Sequence, residues 1–257
     1  MTRLAVDIRG QGPDLVLLHG WGMHSGIWHE LAERLEARFT LHLVDLPGHG
    51  ASPCGDRQDI AGWAEAVLGS VPAGADWVGW SLGGLVGLQA GLAAPDGLRS
   101  LTLLASTPRF VRAPDWPCAI DGEVLDVFAG QLEKDYAKTL QRFLSLQVQG
   151  SEHLAQTLRR LRARLASGQP AAVALRAGLA MLRGCDFRQA LGSFTVPLRF
   201  MLGERDTLVP VQMAERYAHT PLHRIAGAGH APFVSHADEC AAQLERWLLG
   251  AEQVVHG

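Results

Sequence analysis

The chain has 257 residues, 47% of them hydrophobic and 19% charged, which suits one compact domain with a large buried core. Its 29 glycines follow no G-X-Y period and form no Gly/Ser tract, so a collagen-like chain and flexible linkers are excluded. A formal net charge of −3 gives no argument for nucleic acid or a membrane surface as a partner.

At the start, Asp7 and Arg9 interrupt the apolar residues, so no signal peptide is expected. Strands are expected over residues 4–8, 15–18, 41–44, 77–79, 101–104, 198–202 and 222–225. Several are unbroken apolar runs, as in strands covered on both faces of a mostly parallel sheet. Helical spacing occupies the intervals at 27–38, 60–68, 82–93, 211–217 and 238–249. This alternation predicts an α/β architecture with a central sheet flanked by helices. Residues 77–95 carry no charge and imitate a membrane span. Their five glycines and central Gly-Trp-Ser-Leu-Gly-Gly instead indicate a buried strand, a sharp turn and a buried helix.

The rhythm breaks between residues 111 and 185, where helical patterns at 123–132, 136–146 and 152–165 have no strand between them. The expected division is a core of residues 1–110 and 186–257 with a helical lid insertion at 111–185, all one structural unit. Such an insertion lies over the carboxyl ends of the strands, where α/β sheets bind ligands. Cys54, Cys118, Cys185 and Cys240 are far apart, with no C-x-x-C pair and no histidine spacing suited to zinc. Free thiols and a cytoplasmic setting are expected. With no P-loop and no G-x-G-x-x-G after a strand, neither a cofactor nor a metal is expected.

Gly79-Trp80-Ser81-Leu82-Gly83 matches G-x-S-x-G between an apolar strand and a glycine-rich helix. A serine on that turn stands above the sheet beside a helix N-terminus, whose dipole favours a developing oxyanion. Its hydroxyl needs a base, and the base needs an orienting acid. His230, in the Gly227-Ala-Gly-His loop after the last strand, is the candidate base, with His236 as its competitor. Asp206, after Leu202-Gly203-Glu204-Arg205, is the candidate acid, with Glu204 as the alternative. Two N–H donors must stabilise the oxyanion. The backbone N–H groups of Leu82 and of Trp21, in Leu18-His19-Gly20-Trp21-Gly22, are expected to supply them, and His19 is expected to fix that loop by hydrogen bonding.

The order Ser81, Asp206, His230 and the landmarks His19-Gly-Trp-Gly, Asp45-Leu-Pro-Gly-His-Gly50 and Gly203-x-x-Asp206 identify a resemblance to the α/β-hydrolase superfamily along nearly the whole chain. By that resemblance Asp45–Gly50 is a structural turn. More specific runs are Gly79-Trp-Ser-Leu-Gly-Gly, Arg142-Phe-Leu-Ser-Leu-Gln and His230-Ala-Pro-Phe-Val-Ser-His236. Together with Leu15-Val-Leu-Leu-His-Gly-Trp-Gly and residues 39–48, they resemble the pimeloyl-[acyl-carrier protein] methyl ester esterase family of biotin synthesis. That resemblance implies hydrolysis of a distal methyl ester on a carrier-linked acyl chain, through an acyl-enzyme on Ser81. It also implies substrate contacts from Trp21, Ser81, Leu82, Phe143, Leu144, Ser145, Leu146, Gln147 and His230.

Residues 140–185 hold seven arginines against one acid, Glu152, so the stretch carries +6 and the rest of the chain −9. Arg142, Arg159, Arg160, Arg162 and Arg164 are therefore candidates for docking an acidic acyl carrier protein, the alternative being a solvated helix face. Rival functions on the same triad are a short-chain carboxylesterase, a carbon–carbon bond hydrolase and a perhydrolase; a non-enzymatic ligand receptor is a further alternative. Dehalogenase or epoxide hydrolase chemistry needs a carboxylate at the elbow, which Ser81 excludes.

Overall fold

The apolar runs become the inner strands of a seven-stranded sheet in a computed structural model that describes residues 3–166 and 168–250. The strands are β1 (Val6–Gly10), β2 (Asp14–Leu18), β3 (Thr40–Val44), β4 (Ala75–Trp80), β5 (Leu98–Leu104), β6 (Leu198–Gly203) and β7 (Leu222–Ile225). Their spatial order is β1-β3-β2-β4-β5-β6-β7. Only β1 runs antiparallel, against β3, with Val6 opposite Val44. The other five pairings are parallel. All six residues of β4 are buried, as central position with both faces covered requires. Edge strand β1 instead leaves Asp7 and Ile8 exposed, and it begins two residues later than its sequence pattern suggests.

Helices α1 (His29–Leu35), α2 (Ile60–Leu68), α3 (Leu82–Ala93), α8 (Pro232–Ser235) and α9 (Ala237–Leu249) belong to the sheet region. The pattern at 27–38 splits into a 3-10 turn, Ser25–Trp28, and a shorter α1, and the pattern at 211–217 is also 3-10. Helix α3 is apolar on every side and buried through most of its length, which accounts for the charge-free run at 77–95. Among the described residues no helix is long and apolar enough to cross a membrane.

Between β5 and β6 lie α4 (Gly122–Leu132), α5 (Tyr136–Gln147), α6 (Leu154–Leu165) and α7 (Ala172–Gly184). Helix α7 had no counterpart in the sequence patterns. Its inward face includes Ala174 and Gly178 beside Leu175 and Leu179, and small residues weaken the hydrophobic periodicity. Asp121 and Asp135 accept the N–H groups of Glu123 and Lys138 and so start α4 and α5.

Candidate active site

Ser81 sits between β4 and α3 at φ 53° and ψ −118°, a conformation L-residues rarely hold. The turn closes only because neighbouring residues are small. A Cβ on Gly83 would lie 2.4 Å from Leu18 O, and one on Gly79 would lie 2.5 Å from Gly83 O. Ser81 N–H donates to Leu104 O at 3.1 Å, and Ser106 Oγ donates to Ser81 O at 2.7 Å. Both bonds fix the strained peptide from β5 and its following loop.

The structure brings Ser81, His230 and Asp206 together across 149 and 24 residues of chain. Ser81 Oγ donates to His230 Nε2 at 3.0 Å, and His230 Nδ1 donates to Asp206 Oδ2 at 2.8 Å. The other carboxylate oxygen, Oδ1, accepts from Leu208 N–H (2.8 Å) and Val209 N–H (3.0 Å). Those two bonds orient the acid, and the acid in turn fixes which imidazole nitrogen carries the proton. His230 is itself held at both peptide groups. Its N–H donates to Gln147 O at 3.1 Å, and its carbonyl accepts the Trp80 indole N–H at 2.7 Å.

The competitors lie elsewhere. Glu204 is exposed and accepts Gly227 N–H at 3.2 Å, at the base of the His230 loop. His236 precedes α9, bonds Ser235 Oγ at 2.8 Å, and is held below the usual histidine range by burial and by His153.

The loop after β2 packs directly against the elbow, since a Cβ on Gly20 would lie 3.2 Å from Ser81 Cβ. His19 fixes this loop. Its Nδ1–H donates to Gly20 O at 2.9 Å, and its Nε2 accepts Leu46 N–H at 3.0 Å. Full burial holds His19 well below the ordinary pKa, so the ring is neutral as this pattern demands. The Trp21 indole N–H donates to Leu175 O on α7 at 2.8 Å, and its ring meets Phe143 of α5 edge-on at 4.7 Å. As the first residue of α3, Leu82 has no helical acceptor for its N–H. Asp45 accepts Ser25 N–H (2.7 Å) and Ala51 N–H (2.8 Å), the bonding of a turn brace.

Phe143, Leu144 and Gln147 face inward on α5, and Leu146 is half-buried. Ser145 does not join them: it lies on the exposed face with its Oγ on Gln141 O, because a helix cannot aim five consecutive side chains at one point. The arginines divide similarly. Arg159 and Arg162 are exposed on α6. Arg160 donates to Val234 O at 2.9 Å, Arg164 pairs with Glu30 at 3.4 Å, and Arg142 donates to Gln131 Oε1 at 2.8 Å. Arg176 and Arg183 pair with Glu133 and Asp126, so the +6 of residues 140–185 is partly compensated by acids just outside that stretch.

Sequence reasoning gave no role to Trp80, Ser106 or the Gln147 carbonyl, all of which position the triad. Trp80 stood out only as part of a motif, and backbone acceptors leave no mark in a sequence. Ser81 and His230 are buried, at 2% and 1% exposure, and Trp21, on the loop packed beside the elbow, is held against α5 and α7 through Phe143 and Leu175.

Residues 15–243 match the alpha/beta hydrolase family. The chain is 45% identical over 248 residues to the pimeloyl-[acyl-carrier protein] methyl ester esterase of Xanthomonas campestris pv. campestris (strain B100), covering 95% of this chain and 98% of that protein. It is also 45% identical over 252 residues to the enzyme of the same name from Stenotrophomonas maltophilia (strain K279a), covering 95% of each. Among solved structures, an esterase from Exiguobacterium antarcticum superposes with a TM-score of 0.85 at 20% identity, over 97% of this chain and 96% of that one. A bromoperoxidase from Bacillus anthracis gives 0.85 at 18% identity, over 96% and 95%. These two show a shared fold.

Proposed function

The chain belongs to the alpha/beta hydrolase family, and from that premise we propose that it is a serine esterase hydrolysing the methyl ester of pimeloyl-[acyl-carrier protein] methyl ester. The observation that carries the reading is the Ser81–His230–Asp206 relay, at 3.0 and 2.8 Å, in a chain 45% identical over nearly its full length to enzymes of that name.

Ser81 Oγ attacks the ester carbonyl while His230 Nε2 takes its proton. The oxyanion is received by the backbone N–H groups of Leu82 and Trp21, preorganised by α3 and by the His19-fixed loop. Collapse breaks the carbonyl–methoxy bond, and His230 returns its proton to the departing methoxide as methanol. Water, deprotonated by His230, then attacks the acyl-enzyme and releases the free carboxylate with Ser81 restored. One ester and one water give one acid and one methanol. Asp206 stays ionised throughout and stabilises the imidazolium.

Residues 111–185 act as the lid over a core formed by 1–110 and 186–257. Because Ser81 is covered, α5 and α7 must separate from Trp21 to admit substrate. Phe143, Leu144, Leu146, Gln147 and Trp21 then line the path of an apolar acyl chain, so only its distal end reaches Ser81. The partner is an acidic acyl carrier protein, met by the exposed Arg159 and Arg162 in a cytoplasmic setting. The test is methanol release from the carrier-linked methyl ester by wild type and Ser81→Ala, with wild type turning over and the variant about 10⁴-fold slower or worse. Retained activity in Ser81→Ala would refute the mechanism. Failure of wild type on this substrate, with activity on small esters, would favour a general carboxylesterase.

A further inference from the structure

Away from the triad, two histidines and a carboxylate that are distant in sequence converge on one spot. Glu152 and His153 precede α6, and His236 precedes α9, 83 residues later. One potential ligand atom from each lies within 4.8 Å of the others, and the two imidazole rings are 5.4 Å apart. A tetrahedral ion with bonds of about 2.1 Å holds its ligands about 3.4 Å apart, so small side-chain rotations close the set.

The groups around the cluster orient it as outer-shell partners do. Ser235 Oγ engages His236 Nδ1 at 2.8 Å, leaving Nε2 for an ion. Arg205 engages Glu152 Oε1 at 2.9 Å, leaving Oε2. The backbone is tied as well, since Glu152 N–H donates to Gly227 O at 3.0 Å. The cluster therefore sits where the helical segment meets the two loops that carry Asp206 and His230.

We propose that Glu152, His153 and His236 form a binding site for a divalent transition-metal ion of the zinc type, which pins the start of α6 to the start of α9. Two imidazoles and one carboxylate suit Zn²⁺, with water as the fourth ligand, and are a poor match for Ca²⁺ or Mg²⁺, which take mostly oxygen. A bound ion joins the start of α6 to the start of α9, so it stabilises the folded chain.

The experiment is calorimetric titration of the full-length, metal-stripped protein with ZnCl₂, with visible absorption of the Co²⁺ form as a second readout. Wild type is expected to bind one equivalent and to gain thermal stability as Zn²⁺ rises. His153→Ala and His236→Ala should each weaken binding by at least tenfold, and Ser235→Ala by about tenfold through loss of the orienting bond. His153 is exposed and His236 half-buried, so the metal-free melting temperatures of these variants should stay near wild type and report that folding is intact. Unchanged stoichiometry and affinity in the His153→Ala/His236→Ala double variant would overturn the proposal, because the ion would then sit elsewhere. So would the absence of zinc binding to wild type.

Discussion

Replacing Trp80 with phenylalanine tests whether the elbow positions the base as well as the nucleophile. The indole N–H is the donor to His230 O at 2.7 Å, and both residues are at most 1% exposed. Removing it leaves a buried carbonyl unpaired, a penalty of about 1–3 kcal/mol. The smaller ring adds a cavity term of about 1 kcal/mol. For a chain of this size, 2–4 kcal/mol lowers the melting temperature by about 5–15 °C. Of its two backbone anchors His230 then keeps only the bond from its N–H to Gln147 O, beside the side-chain bonds to Asp206 and Ser81. A displacement of about 1 Å at a catalytic group lowers turnover by about 10²-fold, so kcat on a small p-nitrophenyl ester should fall 10- to 100-fold with little change in KM. Trp77→Phe is the control: Trp77 is equally buried in β4, and among the described residues its indole nitrogen has no partner. It shrinks a ring without touching His230. If Trp80→Phe loses stability like Trp77→Phe but keeps wild-type kcat, the indole bond does not position the base.

Charge reversal of Arg159 and Arg162 together should lower kcat/KM on the carrier-linked ester about tenfold at low ionic strength, with the gap closing in high salt. A small ester should show neither effect, and equal salt dependence for both substrates would remove the docking role. Acid should weaken the fold through its buried neutral histidines. Burial pushes His49 down to about 4 and His19 well below its ordinary value, so the unfolded chain binds more protons below pH 6.5. Their contribution is complete above pH 6.5 and is lost as pH falls toward 4, by up to ~1.4 kcal/mol per histidine per pH unit. Urea midpoints measured from pH 7 to 4 should drop accordingly, and His49→Gln should flatten the slope; an unchanged slope would exclude His49 as the source.

Much of the fold was legible because its signals are local. Apolar runs marked the inner strands, and Gly79-Trp-Ser-Leu-Gly marked a turn that only small neighbours allow. Ser81, Asp206 and His230 each stand on a loop following a strand, so a parallel sheet brings them to one edge. Helix α7 escaped notice because alanine and glycine dilute its periodicity.

Charge was where local reading failed. The arginines between 140 and 185 look like one basic field along the sequence, yet folding sets Arg164 on Glu30, Arg176 on Glu133 and Arg183 on Asp126. Helical geometry separates Arg159 and Arg162 from Arg160 and Arg164 by turning the two rows to different surroundings. The sequence by itself determined the elbow, the candidate residues Ser81, Asp206 and His230, and the strand–helix alternation, since each depends on residue type and short spacing. Only the tertiary structure decided that Trp80 and Gln147 hold His230, and that Glu152, His153 and His236 meet. Contacts of that kind depend on how separate elements pack, and packing distances are not encoded in the spacing along the chain.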